Sequence, residues 1–396
     1  MLNKKTVKDI DVKNKKVLLR VDFNVPLKEG KVNDDTRIKA ALPTIKYLLS
    51  EGVSKLILCS HLGRPKGKVT EDLRLDPVAK RLEELLGERI KKCDDCVGEN
   101  VKQSITTSDF RIILLENLRF HPEEEACDDN FSKQLSELAE IFVNDAFGSS
   151  HRKHASVYGV AKYLPAVAGF LMEKEINYLG QLLETPEKPY VAILGGAKVS
   201  DKILIIEKLM ERVNAILIGG AMAYTFLKAK GEKVGISRVE EDRVGLAKDI
   251  LEKAQTQNVK IILPVDHIVV DNIDNPSSKK EVKKIPEGFI GVDIGRETIK
   301  IFAEELSVAK TILWNGPLGI FEKEDYSAGT KEIAYKLAEL SSKGVTTVIG
   351  GGDSAAAVAT FGVKDKMSHV STGGGASLEF LEGKLLPGVE VLQDKK

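Results

Sequence analysis

Nine short, β-branched apolar runs recur along the chain: Val17–Val21, Leu56–Cys59, Ile112–Leu115, Ile141–Val143, Val191–Leu194, Ala215–Ile218, Ile261–Leu263, Thr311–Leu313 and Val345–Ile349. They are too short for helices, and most are followed by polar or glycine residues and then a helical pattern. Such runs read as strands buried on both faces. Their alternation with helices is that of a parallel sheet with helices on both sides. At least four precede residue 165, and at least five follow residue 189. Between them lies a predicted helix, Phe170–Leu183, with Leu171, Ile176, Leu179 and Leu182 on its apolar stripe. It is bounded by Pro165 and by Thr185-Pro186-Glu187-Lys188-Pro189. One core rarely grows beyond about 250–300 residues. The 396 residues are therefore expected to form two α/β domains, 1–170 and 186–382, joined by a helix over 171–185. The alternative is one large α/β domain with an ordinary core helix.

Charge excludes some partners. Lys plus Arg and Asp plus Glu number 59 each, so the net charge is zero. No long nucleic-acid or anionic membrane surface is expected, and any anion site must come from local basic clusters. No segment reaches the roughly 20 apolar residues of a membrane helix, and the start lacks a secretory apolar stretch. Four cysteines make no disulfide framework in a chain this long. The expectation is a cytoplasmic protein.

In parallel sheets ligands bind beyond the carboxyl ends of the strands. In the first half these ends carry charge: Asp22-Phe23-Asn24, then Arg37 near a helix start, Ser60-His61-Leu62-Gly63-Arg64, Arg119, and Asn144-Asp145 with His151, Arg152 and His154. Any one of these could be turn chemistry or a surface charge. Their repetition at one predicted rim argues for an anion, because guanidinium forks suit phosphate and carboxylate oxygens. In the second half the ends carry glycine: Gly195-Gly196 before Lys198 and Lys202, Gly219-Gly220, Gly350-Gly351-Gly352 before Asp353 and Ser354, and Gly373-Gly374-Gly375. Glycine lets backbone amides approach a phosphate, and a helix N-terminus adds partial positive charge. Gly219-Gly220 reads rather as a tight turn. Asp353 is either a helix N-cap or a Mg²⁺ contact, and the glycines around it favour the metal. There is neither a GxxxxGK[ST] sequence nor a GxGxxG fingerprint after the first strand, which argues against a P-loop enzyme and a dinucleotide dehydrogenase.

Other features carry less. Cys93-Asp94-Asp95-Cys96 has the spacing of a redox pair or of half a zinc site, and with no second pair and an acidic middle it reads as a surface loop. Cys59 reads as strand core, and His121, His267 and His369 lack a partner constellation. His154 reads as support for Arg152, and Trp314 as packing.

The ordered strings RVDFNVP, DDTRI, SHLGRP, ENLRFHP, VNDAFG, GGAKVSDK, WNGPLGIFE, GGGDS and STGGGAS resemble the phosphoglycerate kinase family over essentially the whole chain. The resemblance implies two Rossmann-like domains and reversible phosphoryl transfer between 1,3-bisphosphoglycerate and ADP, giving 3-phosphoglycerate and ATP. It implies that Asp22, Asn24 and Arg37 contact the acid end and hydroxyl of phosphoglycerate. His61, Arg64, Arg119 and Arg152 would hold its phosphate, with Phe23, Leu62 and Gly63 completing the site. For the Mg²⁺ nucleotide it implies Gly195, Lys202, Gly219, Gly291, Asn315, Pro317, Gly350, Gly351, Gly352 and Ser354, with Glu322 on the ribose and Asp353 on the metal. Arg37, Lys198, Lys202, Gly352 and Gly375 would stabilise the transferring group. It further implies a monomer, a tail of about 383–396 packed on the first domain, and closure about a hinge, for which Phe170–Leu183 is the candidate. Two details depart from the family pattern: Ser149-Ser150 stands where Thr-Ala is usual, and Arg296 where proline is usual.

The chemistry suits these residues. Both acceptor oxygens, a β-phosphate of ADP or a carboxylate, are ionised at neutral pH, so positioning and charge stabilisation replace a general base. An acyl phosphate must also be kept from water. Competing readings are an acyl-phosphate kinase with another acid substrate, or a metabolite-binding protein with a decayed site.

Overall fold

The computed structural model describes residues 3–395. It contains two compact units, one running to Asn177 and resuming at Leu385, the other spanning Tyr178–Lys384. The helix Phe170–Glu184 runs through the point where they divide. Its buried stripe is Met172, Ile176, Leu179 and Leu182. Met172 thus takes the place expected for Leu171, because four residues, not five, separate successive turns of one helix face.

The first unit is built on six parallel strands: β1 (Lys16–Arg20), β2 (Lys55–Cys59), β3 (Ile90–Lys92), β4 (Ile112–Leu114), β5 (Ile141–Asn144) and β6 (Ala166–Ala168). Their order is β3-β4-β2-β1-β5-β6. Val17, Leu19, Leu56, Leu58, Ile112 and Val143 face one core with Ile38, Ile45 and Leu48 of the helix Thr36–Ser50. The register aligns Arg20 with Cys59 and with Asn144, so the chain leaves all three strands at one edge. The residues after Leu385 belong to this unit. Gln393 donates from its backbone to Ala166 O at 3.0 Å, and Asn144 Nδ2 donates to Gly388 O at 2.9 Å. Ser150 is fully buried, and its carbonyl accepts from Gly388 N at 2.9 Å. One of the unusual serines is therefore an anchor for the C-terminal segment.

The second unit repeats the plan with β7 (Tyr190–Leu194), β8 (Ala215–Ile218), β9 (Lys260–Ile262), β13 (Thr311–Asn315), β14 (Thr346–Gly350) and β15 (His369–Val370), in the order β9-β8-β7-β13-β14-β15. An antiparallel sheet of β10 (His267–Val270), β11 (Lys280–Val282) and β12 (Ile290–Ile294) is added to it. Arg296 opens the helix Arg296–Ser307, its N–H donating to Glu281 Oε1 at 2.7 Å. The register aligns Ile218, Leu194, Asn315 and Gly350 across four strands. The four residues that follow are Gly219, Gly195, Gly316 and Gly351, a row of glycines along the carboxyl edge.

Candidate active site

At the carboxyl edge of the first sheet the chain passes from a buried strand straight into charge. Asp22 pairs with Arg37 Nη1 at 2.6 Å, and its other oxygen accepts from Asn24 N at 3.1 Å. Asn24 Oδ1 in turn accepts from Gly63 N at 2.9 Å, tying the loop after β1 to the loop after β2. Arg119 Nη1 donates to Gly63 O at 2.9 Å, and the same guanidinium pairs with Glu125 at 3.2 Å.

The organiser of this edge is a residue the sequence reading passed over. Arg20 is 1% exposed. It donates to Ser156 Oγ at 2.8 Å, to Val21 O, and to His61 Nδ1 at 3.2 Å. Ser156 is held by the buried Glu124, at 2.6 Å from its hydroxyl and 2.9 Å from its N–H. Burial, with Arg20, Arg119 and Arg37 nearby, holds the His61 imidazole well below its usual range. A guanidinium can only donate. The neutral His61 therefore accepts on Nδ1 and carries its proton on Nε2. Burial, with Arg119, Arg20 and Arg152 around it, likewise pushes His154 down to about 3. Two neutral histidines thus sit among Arg20, Arg37, Arg119 and Arg152, a concentration of positive charge that an anion would relieve. Arg152 Nε lies 3.2 Å from His151 Nε2, and Arg64 is exposed in the His61 loop.

Two expected contacts are core residues. Phe23 is fully buried in the hydrophobic core, with its N–H on Ser60 Oγ at 2.9 Å. Leu62 is also core, and Asn117 takes both its N–H, at 3.1 Å, and its carbonyl, at 2.7 Å.

The second unit's edge is made differently. A Cβ on Gly195 would collide with the carbonyls of Pro317 and Gly316, and one on Gly219 with Leu318. These two amides are occupied within the fold, Gly195 N on Asn315 O at 3.0 Å and Gly219 N on Leu194 O at 2.9 Å. Both glycines are therefore spacers for the loop after β13, and their amides are spent within the fold. Gly291 has the same character: its N–H is on Ser237 Oγ at 2.9 Å, and a side chain there would strike Tyr224. Ser354 is buried with its hydroxyl accepting from Gly316 N at 2.6 Å, so its side chain braces the loop.

Around this braced frame the remaining residues converge. A cavity of about 310 Å³ is lined by Gly196, Gly220, Tyr224, Gly291, Pro317, Glu322 and Asp353 among others. Lys202 Nζ donates to Asn315 Oδ1. Burial lowers the Lys202 ammonium from its usual range, against the pull of Asp201, Asp353 and Glu382. Asn315 is fully buried, and its Nδ2 has no acceptor. That amide lies 3.0 Å from where a Cβ on Gly351 would stand. Gly351 has φ +90°, and the helix Gly352–Thr360 starts beside it, its first N–H groups lacking intrahelical acceptors. Gly375 opens a second helix, Gly375–Leu381, after Gly374 at φ +54°.

The Lys198–Lys202 loop has an anchor that no local pattern announces. Glu240 accepts from Val199 N at 2.5 Å, Ser200 N at 3.1 Å and Ser200 Oγ at 2.6 Å. Lys198 itself is exposed on that loop.

Both edges are equipped for anionic oxygens, one through guanidinium groups and one through an ammonium, a spare amide and a helix start, which is the character of a phosphoryl-transfer enzyme. A family model described as phosphoglycerate kinase matches residues 7–384. A phosphoglycerate kinase from Dictyoglomus turgidum is 56% identical over 398 residues, covering 99% of this chain and 100% of its own. One from Thermosipho africanus is 54% identical, covering 100% and 99%. Among solved structures, phosphoglycerate kinase from Coxiella burnetii superposes with a TM-score of 0.87 at 38% identity, covering 98% of each chain. That from Pyrococcus horikoshii OT3 gives 0.83 at 34%, with the same coverage. The chain belongs to the phosphoglycerate kinase family and is a phosphotransferase.

Proposed function

We propose that the first unit holds phosphoglycerate, the second holds the nucleotide, and the chain transfers a phosphoryl group reversibly between 1,3-bisphosphoglycerate and ADP. The observation that carries this is the buried Asn315 amide without an acceptor, set beside Lys202, Gly351 and the start of a helix that bears Asp353. An unpaired buried donor costs about 1–3 kcal/mol, and a phosphate oxygen would satisfy it. The exposed carboxylate of Asp353 is a hard oxygen donor that fits Mg²⁺. When bound, that ion neutralises phosphate charge. Lys202 and the amides of Gly352 and Asp353 orient the nucleotide's phosphates, and Glu322 meets the ribose at the cavity wall.

In the first unit Arg119 and Arg152 take the phosphate of phosphoglycerate, with Nε2–H of His61 as a neutral donor and the exposed Arg64 at the rim. Asp22 and Asn24 orient the other end, and Arg37 faces the acyl oxygens. Arg37, Lys198, Lys202, Gly352 and Gly375 stabilise charge on the group in flight. Every reacting oxygen is already ionised, so catalysis is positioning and electrostatics. Transfer requires the two substrates to meet, and Phe170–Glu184 is the proposed hinge. Binding both ligands is expected to reduce the radius of gyration in solution scattering, and an unchanged value would count against the hinge. We also propose a cytoplasmic monomer, to be checked by light scattering.

A coupled assay tests the substrate. Turnover with 3-phosphoglycerate and MgATP, and none with acetate or aspartate, is expected. Phosphorylation of acetate or aspartate in preference would assign the site to another acid.

A further inference from the structure

The segment Cys93–Cys96 reads from sequence as a surface loop, yet both thiols are buried, at 4% and 0% exposure. Cys93 turns toward Ser104. Cys96 Sγ donates to Glu116 O at 3.0 Å. The intervening Asp95 has the partner that His121 seemed to lack: its Oδ1 lies 2.6 Å from His121 Nε2. The thiol, the carboxylate and the imidazole each offer one donor atom, and these lie within 4.8 Å of one another. They come from two segments, the loop before the helix Glu99–Thr107 and the turn after Leu118–Phe120.

We propose that Asp95, Cys96 and His121 bind a divalent transition-metal ion, with Zn²⁺ the best match. One sulfur, one imidazole nitrogen and one carboxylate oxygen suit a borderline ion. Three protein donors leave the fourth tetrahedral position to water. Mg²⁺ demands oxygen ligands and near-octahedral geometry, so the ion of the nucleotide does not compete here. The setting is negative, with Asp95, Glu124 and Glu116 carboxylates all bearing on Cys96. Glu116 is engaged by Lys92 at 2.5 Å and Arg74 at 3.0 Å, so it braces the loop and does not serve as a fourth ligand. The ring of His121 packs on Phe131, with centroids 5.0 Å apart, which fixes the direction of Nε2. On binding, the thiol proton now donated to Glu116 O is released to solvent, and the proton that His121 Nε2 shares with Asp95 leaves that nitrogen, for Nδ1 or for solvent, so that His121 ligates as neutral imidazole through Nε2. His121 stands two residues beyond Arg119. A bound ion would therefore tie the turn carrying that arginine to the Asp95–Cys96 loop.

The test is titration of the chelator-treated, full-length enzyme with Co²⁺. A near-ultraviolet thiolate charge-transfer band saturating at one equivalent is expected. Equimolar Zn²⁺ should abolish it, and excess Mg²⁺ should leave it unchanged. Cys96→Ser should remove the sulfur band, and His121→Asn should weaken Co²⁺ binding at least about tenfold. Retained kinase activity in these variants would show that they are folded. Should Cys96→Ser be unstable, Asp95→Asn, with the same expected weakening, provides the same test. Absence of the band in the wild type, its survival in Cys96→Ser, or full affinity in His121→Asn would overturn the proposal.

Discussion

The first unit equips the carboxyl edge of its sheet with side chains, whereas the second keeps side chains away from the same edge. After the aligned row Arg20, Cys59 and Asn144 the first unit places Asp22, His61 and the His151–His154 segment. After Ile218, Leu194, Asn315 and Gly350 the second places glycine four times. The difference fits the ligands proposed for each edge. A small acid with a phosphate offers few atoms, so long guanidinium arms must reach and surround it. A nucleotide's phosphates can be met by the main chain itself, provided nothing stands between. Cutting an arm therefore tests the first edge, and adding one to the glycine row tests the second.

Several substitutions would break or sharpen this contrast. Arg37→Ala removes an arm from the transferring group, and its turnover number should fall by about 10²–10³-fold. The Michaelis constant for 3-phosphoglycerate should change far less, and steady-state kinetics with an unchanged turnover number would refute the role. Lys198→Ala should behave similarly. Gly351→Ala adds an arm: φ +90° strains alanine, and its Cβ would press on Asn315 at 3.0 Å. MgADP affinity measured by calorimetry should drop about tenfold, with about 1–2 kcal/mol lost in urea unfolding. Unimpaired nucleotide binding would contradict the glycine row's role. Glu240→Ala leaves every proposed ligand contact in place but frees the Lys198–Lys202 loop. A few-fold rise in the Michaelis constant for ATP is expected, with that for 3-phosphoglycerate unmoved.

A last effect is one of pH and leaves both edges untouched. Asp293 accepts from Gly329 N at 2.7 Å and Ile294 N at 2.9 Å, and burial pushes its carboxyl from 3.8 up to about 7. The folded state therefore holds this proton more tightly than the unfolded chain. The associated stability is complete below about pH 4 and is lost as pH rises to about 7, a change of about 1–3 kcal/mol. Asp293→Asn should flatten that part of the urea-midpoint profile. The contribution of Asp145, which burial raises to about 6, would remain. A profile identical to the wild type would contradict the assignment.

The sequence revealed most where burial on both faces leaves an unbroken apolar run. The central strands of both sheets are such runs. The short edge strand Ile90–Lys92 is two-thirds lysine, and the antiparallel Lys280–Val282 is largely polar, so neither stands out. Charged residues after strands marked the proposed site, but their spacing could not say which would point inward. Phe23 and Leu62 went to the core, and Gly195 and Gly219 spend their amides on the fold. Arg20 was hidden because it closes an apolar run and looks like its end, although burying a guanidinium there is costly without partners. Glu240 acts across 40 residues or more on the Val199–Ser200 amides, a distance at which no local pattern operates.

The division of labour between the two edges is tested most directly by calorimetric titration of Arg119→Ala and Gly351→Ala, each with 3-phosphoglycerate alone and with MgADP alone. Arg119→Ala should lose affinity for 3-phosphoglycerate and keep it for MgADP, and Gly351→Ala should do the reverse. If either variant weakens the other ligand instead, or both ligands equally, the two edges do not hold the substrates assigned to them.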